Sequence, residues 1–184
     1  MEEILGAGRF LELVRSGRWE YVRRRNISGI VVIVAVTDAG ELVLVEQERP
    51  AVKGRVIEVP AGLAGDEGQE TLDEAARREL FEETGYEASR WERLGEATPS
   101  PGLCAEVVTF FRARGLKKGG PGGGDETERI VVHLMPIQDA DAWLRAKAAA
   151  GLLIDEKVYA GLYFTRNVPG TNQQSSDRRS APHR

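Results

Sequence analysis

AGLAGDEGQETLDEAARRELFEETGY, residues 61–86, is the stretch of sequence that decides the fold. Between Asp66 and Glu83 it holds eight acidic and two basic residues, a local charge of −6, whereas the whole chain carries a formal net charge of −4. Acidic side chains are therefore concentrated in one short segment, whereas a solubilising surface would spread them along the chain. A glycine-rich loop followed by an acidic segment indicates a site that holds a cation.

The second half of this stretch predicts a helix with a defined beginning and end. Thr71 followed by Glu74 is the pattern of a capping box, and Gly85 stands where a helix often ends in a left-handed residue. Side chains three or four residues apart share one face of a helix. The glutamates at such spacings are Glu79, Glu82 and Glu83. The apolar stripe that the helix can bury consists of Leu72, Ala75, Ala76, Leu80 and Phe81.

Like charges stacked on one helix face cost about 0.2–0.5 kcal/mol per pair unless a cation lies among them. Magnesium suits such a site, because it binds one or two carboxylates together with substrate phosphates and keeps several of its waters. A solvated acidic helix face is the alternative, and the spacing alone does not exclude it.

Residues 78–86, RELFEETGY, with Glu70 eight positions before Arg78, resemble the REUxEExGU half of the Nudix box and the glutamate that precedes it. One departure stands in the loop before the helix. The family pattern has a glycine six residues before that first glutamate, where this chain has Ala64. Gly62 is the nearest equivalent, which implies a loop two residues longer.

Three further motifs resemble the branch of ADP-ribose pyrophosphatases and nucleoside-diphosphate-sugar hydrolases: VEQERP at 45–50, EVPAG at 58–62 and SPG at 100–102. The resemblance implies that the carbonyl of Ala61 and the carboxylates of Glu79 and Glu83 bind metal, with Glu82 close by. It also implies substrate contacts, which would come from Arg49, Glu106 and Pro101, and from Trp19 and Tyr21 across a homodimer. For each of these two aromatic residues, a place in the dimer core is an equal alternative.

Hydrolysis also needs a base for the attacking water, and the resemblance implies a carboxylate on a mobile loop. Asp125-Glu126-Thr127-Glu128 follows a run of glycines at 119–124 that we interpret as a hinge. We expect Glu128 to be the base, and otherwise Glu126, with Glu83 also counted as catalytic; a solvated turn is the alternative. His133 lies within a strand pattern, and a structural role is expected for it.

Alternating strands, one acidic helix, further strands and two terminal helices predict a mixed α/β fold. The family resemblance implies an α/β/α sandwich with a mixed sheet, here with additional N-terminal antiparallel strands. We expect three parts: residues 1–27 as N-terminal strands for dimerisation, 28–165 as the hydrolase domain, and 166–184 as a disordered tail, because the tail is polar and has few large apolar residues.

Composition limits the classes of function. No stretch approaches eighteen consecutive apolar residues, so no membrane partner is expected. Mild acidity argues against a nucleic-acid partner. Cys104 is the single cysteine, and no secretory signal is visible at the N-terminus, so a reducing cytoplasm is the expected location.

The sequence thus predicts a hydrolase dependent on Mg²⁺, or on Mn²⁺ as a substitute, that cleaves the pyrophosphate of a nucleoside diphosphate linked to a sugar. ADP-ribose, giving AMP and ribose 5-phosphate, is the first expectation, and GDP- or UDP-linked hexoses are the second. A non-catalytic regulatory module that binds a nucleotide ligand is an alternative of another class, and cleaning of oxidised nucleoside triphosphates is the least favoured.

Overall fold

The computed structural model describes residues 1–66, 68–124 and 129–166. In these ranges the α-helices are α1 (Leu72–Thr84), α2 (Ala140–Ala149) and α3 (Glu156–Arg166). The strands are β1 (Glu2–Ala7), β2 (Leu11–Ser16), β3 (Trp19–Arg24), β4 (Gly29–Ala35), β5 (Glu41–Arg49), β6 (Gly54–Glu58), β7 (Ala61–Ala64), β8 (Tyr86–Ala97), β9 (Val108–Lys118), β10 (Val131–Pro136) and β11 (Leu153–Ile154).

The described strands form three sheets. β1, β2 and β3 make an antiparallel N-terminal sheet, and the other two sheets have the orders β10-β5-β6-β11 and β7-β4-β9-β8. Both larger sheets are mixed, because β4 pairs with β9 and β6 pairs with β11 in parallel, whereas their other pairs are antiparallel.

The central strand β4 is buried on both of its faces. Val32 and Val34 belong to a core cluster that includes residues of α2 and α3, whereas Val31 and Ile33 belong to a second cluster with α1. Alternate residues of a strand point to opposite faces, so this nearly continuous apolar run supplies both cores. The predicted mixed α/β sandwich with N-terminal antiparallel strands is confirmed.

Helix α1 begins and ends as its sequence predicts. The Thr71 hydroxyl accepts a hydrogen bond from the Glu74 amide at 3.2 Å, while the Glu74 carboxylate accepts one from the Thr71 amide at 2.8 Å. Gly85 ends the helix in the left-handed region with a φ of 68°. Ala75, Ala76 and Leu80 are buried beneath the sheet β7-β4-β9-β8. These contacts fix the helix against the sheet.

Several elements differ from the sequence expectation. No strand is predicted at the position of β1, and the glycines and lysines at 116–124 predict a loop, whereas β9 runs on to Lys118. Pairing explains the second difference, because Tyr86 and Ala88 at the start of β8 lie opposite Lys118 and Leu116. Tertiary pairing outweighs local composition in strands.

The N-terminal sheet is joined to the rest of the chain by its third strand. The Val22 amide donates to the Leu103 carbonyl at 2.9 Å, and the Ala105 amide donates to the Val22 carbonyl at 2.9 Å. β3 therefore lies beside the segment that leads into β9. Across the described residues, no helix combines the length and the apolar character that a membrane span requires.

Candidate active site

A cleft of about 360 Å³ opens between the start of β7, the inner face of α1 and the edge of the N-terminal sheet. Its lining combines carboxylates and cations. The polar members are Arg24, Gln47, Arg49, Glu58, Asp66, Glu79, Glu83, Glu106 and Lys157, and the others are Ile30, Ala61, Gly62, Leu63, Pro99 and Val108.

Glu79 and Glu83 form the acidic wall of the cleft. A turn of α1 separates them, so both side chains project towards β7. The carboxylate of Glu79 lies directly over Gly62, where even a methyl group would overlap it. Glu83 is 5% exposed, and its carboxylate accepts a hydrogen bond from the Ala61 amide at 3.1 Å. Gly62 is thus the glycine that allows the helix to approach the loop, in agreement with the equivalence drawn from the sequence.

Arg78 organises the carboxylates on the other side of Glu79. Its guanidinium donates to Glu70 at 2.8 Å, to Glu79 at 3.0 Å and to Glu82 at 3.1 Å, and it also donates to the Leu63 carbonyl at 2.9 Å. These hydrogen bonds, above all that to Glu70, raise the pKa of Arg78, and the same bond lowers the pKa of Glu70. The arginine therefore links the helix to the preceding loop.

Glu79 is the carboxylate whose ionisation its surroundings disfavour most clearly. Its side chain is 14% exposed. Burial raises the pKa of the Glu79 carboxyl to about 7, against the opposing attraction of the Arg78 guanidinium. A buried carboxylate of this kind is favoured in its charged form when a further cation binds beside it.

The donors in the cleft fit a hard divalent cation. Glu79 and Glu83 offer carboxylate oxygens beside the backbone of Ala61, and oxygen donors of this type are those that Mg²⁺ and similar ions prefer. Within the ranges that the structure describes, no three acidic, histidine or cysteine side chains converge on one point. The acidic wall alone is thus an incomplete set of ligands, as expected where substrate phosphates and water supply the rest.

Two ion pairs also line the cleft. Arg49 binds Glu58 through two hydrogen bonds of 2.7 Å, and the Glu58 side chain is 4% exposed. Arg24, on β3, donates to Glu106 at 2.7 Å. Carboxylates that hold arginines in this way fix the direction of the guanidinium groups. The cleft therefore holds oriented arginines as well as the carboxylates of α1.

The structure brings some of the predicted site residues together and places others elsewhere. Ala61, Glu79, Glu83, Arg49 and Glu106 line the cleft. Glu82 lies outside it, with its carboxylate directed to Arg78. The general bases predicted from sequence, Glu128 and Glu126, lie outside the described residues.

Three further predicted contacts do not line the cleft of a single chain. Pro99 borders the cleft in place of Pro101, which belongs to a turn in which the Ser100 carbonyl accepts hydrogen bonds from the amides of residues 103 and 104. Trp19 and Tyr21 lie on β3 and do not line the cleft; Trp19 is exposed, and Tyr21 donates to Glu2 at 2.7 Å. Within one chain these aromatic side chains are therefore contacts of the N-terminal sheet.

The glycines at 119–124, which the sequence suggested as a hinge, are in contact with the acidic helix. Their backbone lies against the C-terminal end of α1, where Gly123 donates to the Glu83 carbonyl at 2.9 Å. His133 Nε2 donates to the Glu46 carboxylate at 2.8 Å; the ring packs edge-on against Trp143 and does not line the cleft. That arrangement agrees with the structural role expected for His133.

Sequence reasoning missed five polar residues of the cleft: Arg24, Gln47, Glu58, Asp66 and Lys157. Glu58 carried a signal, because it begins the EVPAG motif that contains Ala61. Lys157 carried none, since the first turn of α3 reaches the cleft only through the packing of α3 on β4 and β6. Its ammonium is held by Asp155 at 2.6 Å.

The sequence and the fold of this chain are similar to those of known proteins. The NUDIX domain model matches residues 28–159. A methanol dehydrogenase activator from Bacillus methanolicus is 35% identical over 65% of this chain and 64% of its own length, and an ADP-ribose pyrophosphatase from Bacillus subtilis is 39% identical over 61% and 60%. The chain thus spans less than two thirds of the length of these two relatives.

Two further matches cover more of the chain. A GDP-mannose pyrophosphatase from Cronobacter sakazakii is 32% identical over 79% of this chain and 75% of its own length. A crystal structure of an ADP compounds hydrolase is similar in fold, with a TM-score of 0.66 over 90% of both chains at 21% identity.

Proposed function

Because the chain belongs to the Nudix family, we propose that it is a pyrophosphohydrolase that cleaves the diphosphate of a nucleotide linked to a sugar. ADP-ribose is the first substrate that we propose, with AMP and ribose 5-phosphate as products. Relatives named for ADP-ribose and for GDP-mannose hydrolysis support the general class of substrate.

The observation that carries this proposal is a cleft that holds both carboxylates and arginines. Glu79 and Glu83 on α1 line it together with the Arg49–Glu58 and Arg24–Glu106 pairs. A diphosphate bears negative charge along its whole length, and such a ligand needs arginines and a metal site. The cleft offers both.

In the proposed reaction, water attacks one phosphorus, the P–O bond to the bridging oxygen breaks, and that oxygen leaves with the other phosphate. Arg49, oriented by Glu58, binds a non-bridging oxygen. We assign acceptance of the proton from water to Glu128, or else to Glu126. Glu79, Glu83 and the Ala61 carbonyl would hold Mg²⁺ or Mn²⁺, which supplies charge neutralisation and a more acidic bound water.

A GDP-linked hexose is a second candidate substrate. The GDP-mannose pyrophosphatase from Cronobacter sakazakii matches 79% of this chain, compared with 61% for the ADP-ribose pyrophosphatase from Bacillus subtilis. The first match spans 154 residues and the second spans 113 residues. The wider match therefore favours keeping GDP-mannose beside ADP-ribose in any test.

The N-terminal sheet is proposed as a homodimer interface. Large apolar side chains that are exposed on or beside it are Ile4, Phe10, Leu11, Leu13 and Trp19. Apolar side chains grouped in this way mark an interaction surface more often than single ones do. We also propose a cytoplasmic location, with no nucleic-acid or membrane partner.

The test is a panel of ADP-ribose, GDP-mannose and UDP-glucose with Mg²⁺ or Mn²⁺, in which a phosphatase releases phosphate from the products and mass spectrometry identifies them. Glu83→Gln is expected to lower the rate by about a hundredfold or more while the protein stays folded. Asp73→Asn, an exposed change on the same helix, is the matched control and should leave the rate close to wild type.

Near-normal turnover by the Glu83→Gln variant would remove Glu83 from the metal site. Tight binding of one compound without turnover of any would favour the regulatory module over the enzyme.

A further inference from the structure

The C-terminal end of α1 is electrostatically unfavourable by its own sequence. The end of a helix carries a partial negative charge from its last carbonyls, which lack partners within the helix. Glu82 and Glu83 add two carboxylates to this turn, and α1 has no basic residue there. Gly85 satisfies only the Phe81 carbonyl, at 2.7 Å. The turn that bears the proposed metal ligand Glu83 therefore needs partners from elsewhere.

Those partners all come from residues 118–124, which we call the helix clamp. The amide of Gly124 donates to the Glu82 carbonyl at 3.1 Å, and that of Gly123 donates to the Glu83 carbonyl at 2.9 Å. The Lys118 ammonium donates to the Thr84 carbonyl at 2.6 Å. Each of the last three carbonyls of α1 thus has a donor from the clamp.

Lys118 also supplies the cation that the end of the helix lacks. It comes from the last residue of β9, lies 4.9 Å from the centre of the Tyr86 ring and donates to the Pro121 carbonyl at 3.3 Å. The ammonium therefore ties the end of the helix to the clamp itself. A cation at a helix C-terminus stabilises that end by attraction to its dipole.

The glycines let the clamp approach the helix this closely. A Cβ on Gly122 would overlap the backbone of Thr84, and one on Gly120 would come within 2.9 Å of the Phe81 ring. The Gly119 and Gly120 amides both donate to the Gly85 carbonyl, at 2.9 and 3.2 Å. Close backbone approach, in addition to turn geometry, therefore requires glycine here.

We propose that the clamp, with Lys118 as its central side chain, is a positioning element for the metal-binding glutamates. Glu83 is then held from two sides: its carboxylate by the Ala61 amide and its carbonyl by Gly123. Groups that orient metal ligands control metal affinity without touching the metal. The inference rests on the proposed function, since it assumes that Glu79 and Glu83 bind a divalent cation.

Three variants test the role of Lys118. Lys118→Met keeps the apolar stem and removes the charge and the hydrogen bonds; Lys118→Arg keeps a cationic donor; Lys117→Met removes the exposed lysine next to it on β9. Mg²⁺ binding to each folded protein is measured by calorimetry, and Mg²⁺ dependence of the rate is measured in parallel.

We expect Lys118→Met to weaken Mg²⁺ binding by about tenfold, to raise the Mg²⁺ concentration for half-maximal rate by a similar factor, and to change kcat at saturating Mg²⁺ much less. Lys118→Arg should recover most of the affinity, and Lys117→Met should match wild type. In hydrogen exchange, the Gly123 and Gly124 amides should lose protection only in Lys118→Met.

Equal Mg²⁺ affinity in wild type and Lys118→Met overturns this inference while the proposed metal site stands. A wild-type protein that binds no Mg²⁺ overturns both. If Lys118→Met does not fold, Lys118→Gln and Gly122→Ala are measured in the same way, and wild-type affinity in both folded variants overturns the inference.

Discussion

Gly62 and Glu79 occupy neighbouring space so tightly that each limits what the other position can be. The Glu79 carboxylate fills the volume that any Cβ at position 62 would need. The Nudix pattern would place its glycine at position 64, where this chain has Ala64. The sequence indicates Gly62 as the equivalent glycine. The structure supplies the physical reason, which is the contact between helix and loop.

Gly62→Ala is therefore expected to displace the Glu79 carboxylate and weaken Mg²⁺ binding by about tenfold, while the fold is retained. The measurement is a calorimetric titration with Mg²⁺, accompanied by circular dichroism. Gly161→Ala is the control, because its new methyl group would meet Val59 at 3.4 Å, an ordinary contact. Wild-type affinity in Gly62→Ala would contradict the close packing at this position.

The raised pKa of Glu79 should make the free energy of unfolding of the metal-free protein depend on pH. Its folded-state value of about 7 lies above the ordinary 4.5, so its contribution to stability is fully present below about pH 4.5 and is lost as the pH rises to about 7. Glu79→Gln cannot ionise. We expect the stability of Glu79→Gln relative to wild type to increase between these pH values and then to level off.

Urea unfolding in a chelator at several pH values measures this difference. Other carboxylates with shifted values, such as Glu70, have their pKa lowered and act below this window. Curves that stay parallel for the two proteins from pH 4.5 to 8 would show that burial does not hold Glu79 protonated.

Among the elements, α1 was the most predictable from sequence, because its capping box, its apolar stripe and its final glycine are all local signals. The end of β9 was the least predictable, because its continuation to Lys118 depends on pairing with the start of β8, which is far from it in the sequence. The contacts of the glycines at 119–124 with α1 were unpredictable for a similar reason. Glycine-rich sequence suggested freedom of movement, and the close approach to α1, which also requires small residues, depends on tertiary packing.

Thr71→Ala tests the beginning of α1. Loss of the hydroxyl removes the acceptor for the Glu74 amide, and we expect the free energy of unfolding to fall by about 1 kcal/mol. Thr71→Ser keeps the hydroxyl and should stay close to wild type. Chemical denaturation of both variants measures the effect. A Thr71→Ala protein as stable as wild type would mean that the Thr71 cap contributes little to the free energy of unfolding.

At the scale of the whole molecule, the cleft joins parts of the chain that sequence reasoning could not relate. Arg24 comes from the N-terminal sheet, and Lys157 comes from α3. Neither belongs to a recognisable motif, and their positions follow from the docking of β3 beside residues 103–105 and of α3 against β4. Motif residues such as Glu83 and Arg49 were predictable because their spacing is local or shared within the family.

If the protein is a dimer as proposed, a single substitution in the interface should convert it to a monomer. Leu13 on β2 is 39% exposed in one chain, and Leu13→Glu would place a charge in the proposed interface. We expect wild type to sediment as a dimer and Leu13→Glu as a folded monomer in analytical ultracentrifugation. Tyr159→Glu, an exposed position on α3, should leave the dimer intact. A monomeric wild-type protein would refute the proposed interface.

The parallel pairing of β4 with β9 also sets the order in which the molecule can assemble. Ile30 pairs with Val108, so the central strand cannot meet its partner until all of β5 to β8 and α1 have been synthesised. Contacts between residues so far apart in the chain form late and slow folding. During translation the apolar strand β4 lacks its parallel partner β9. The nascent chain is therefore more prone to aggregation than the folded protein.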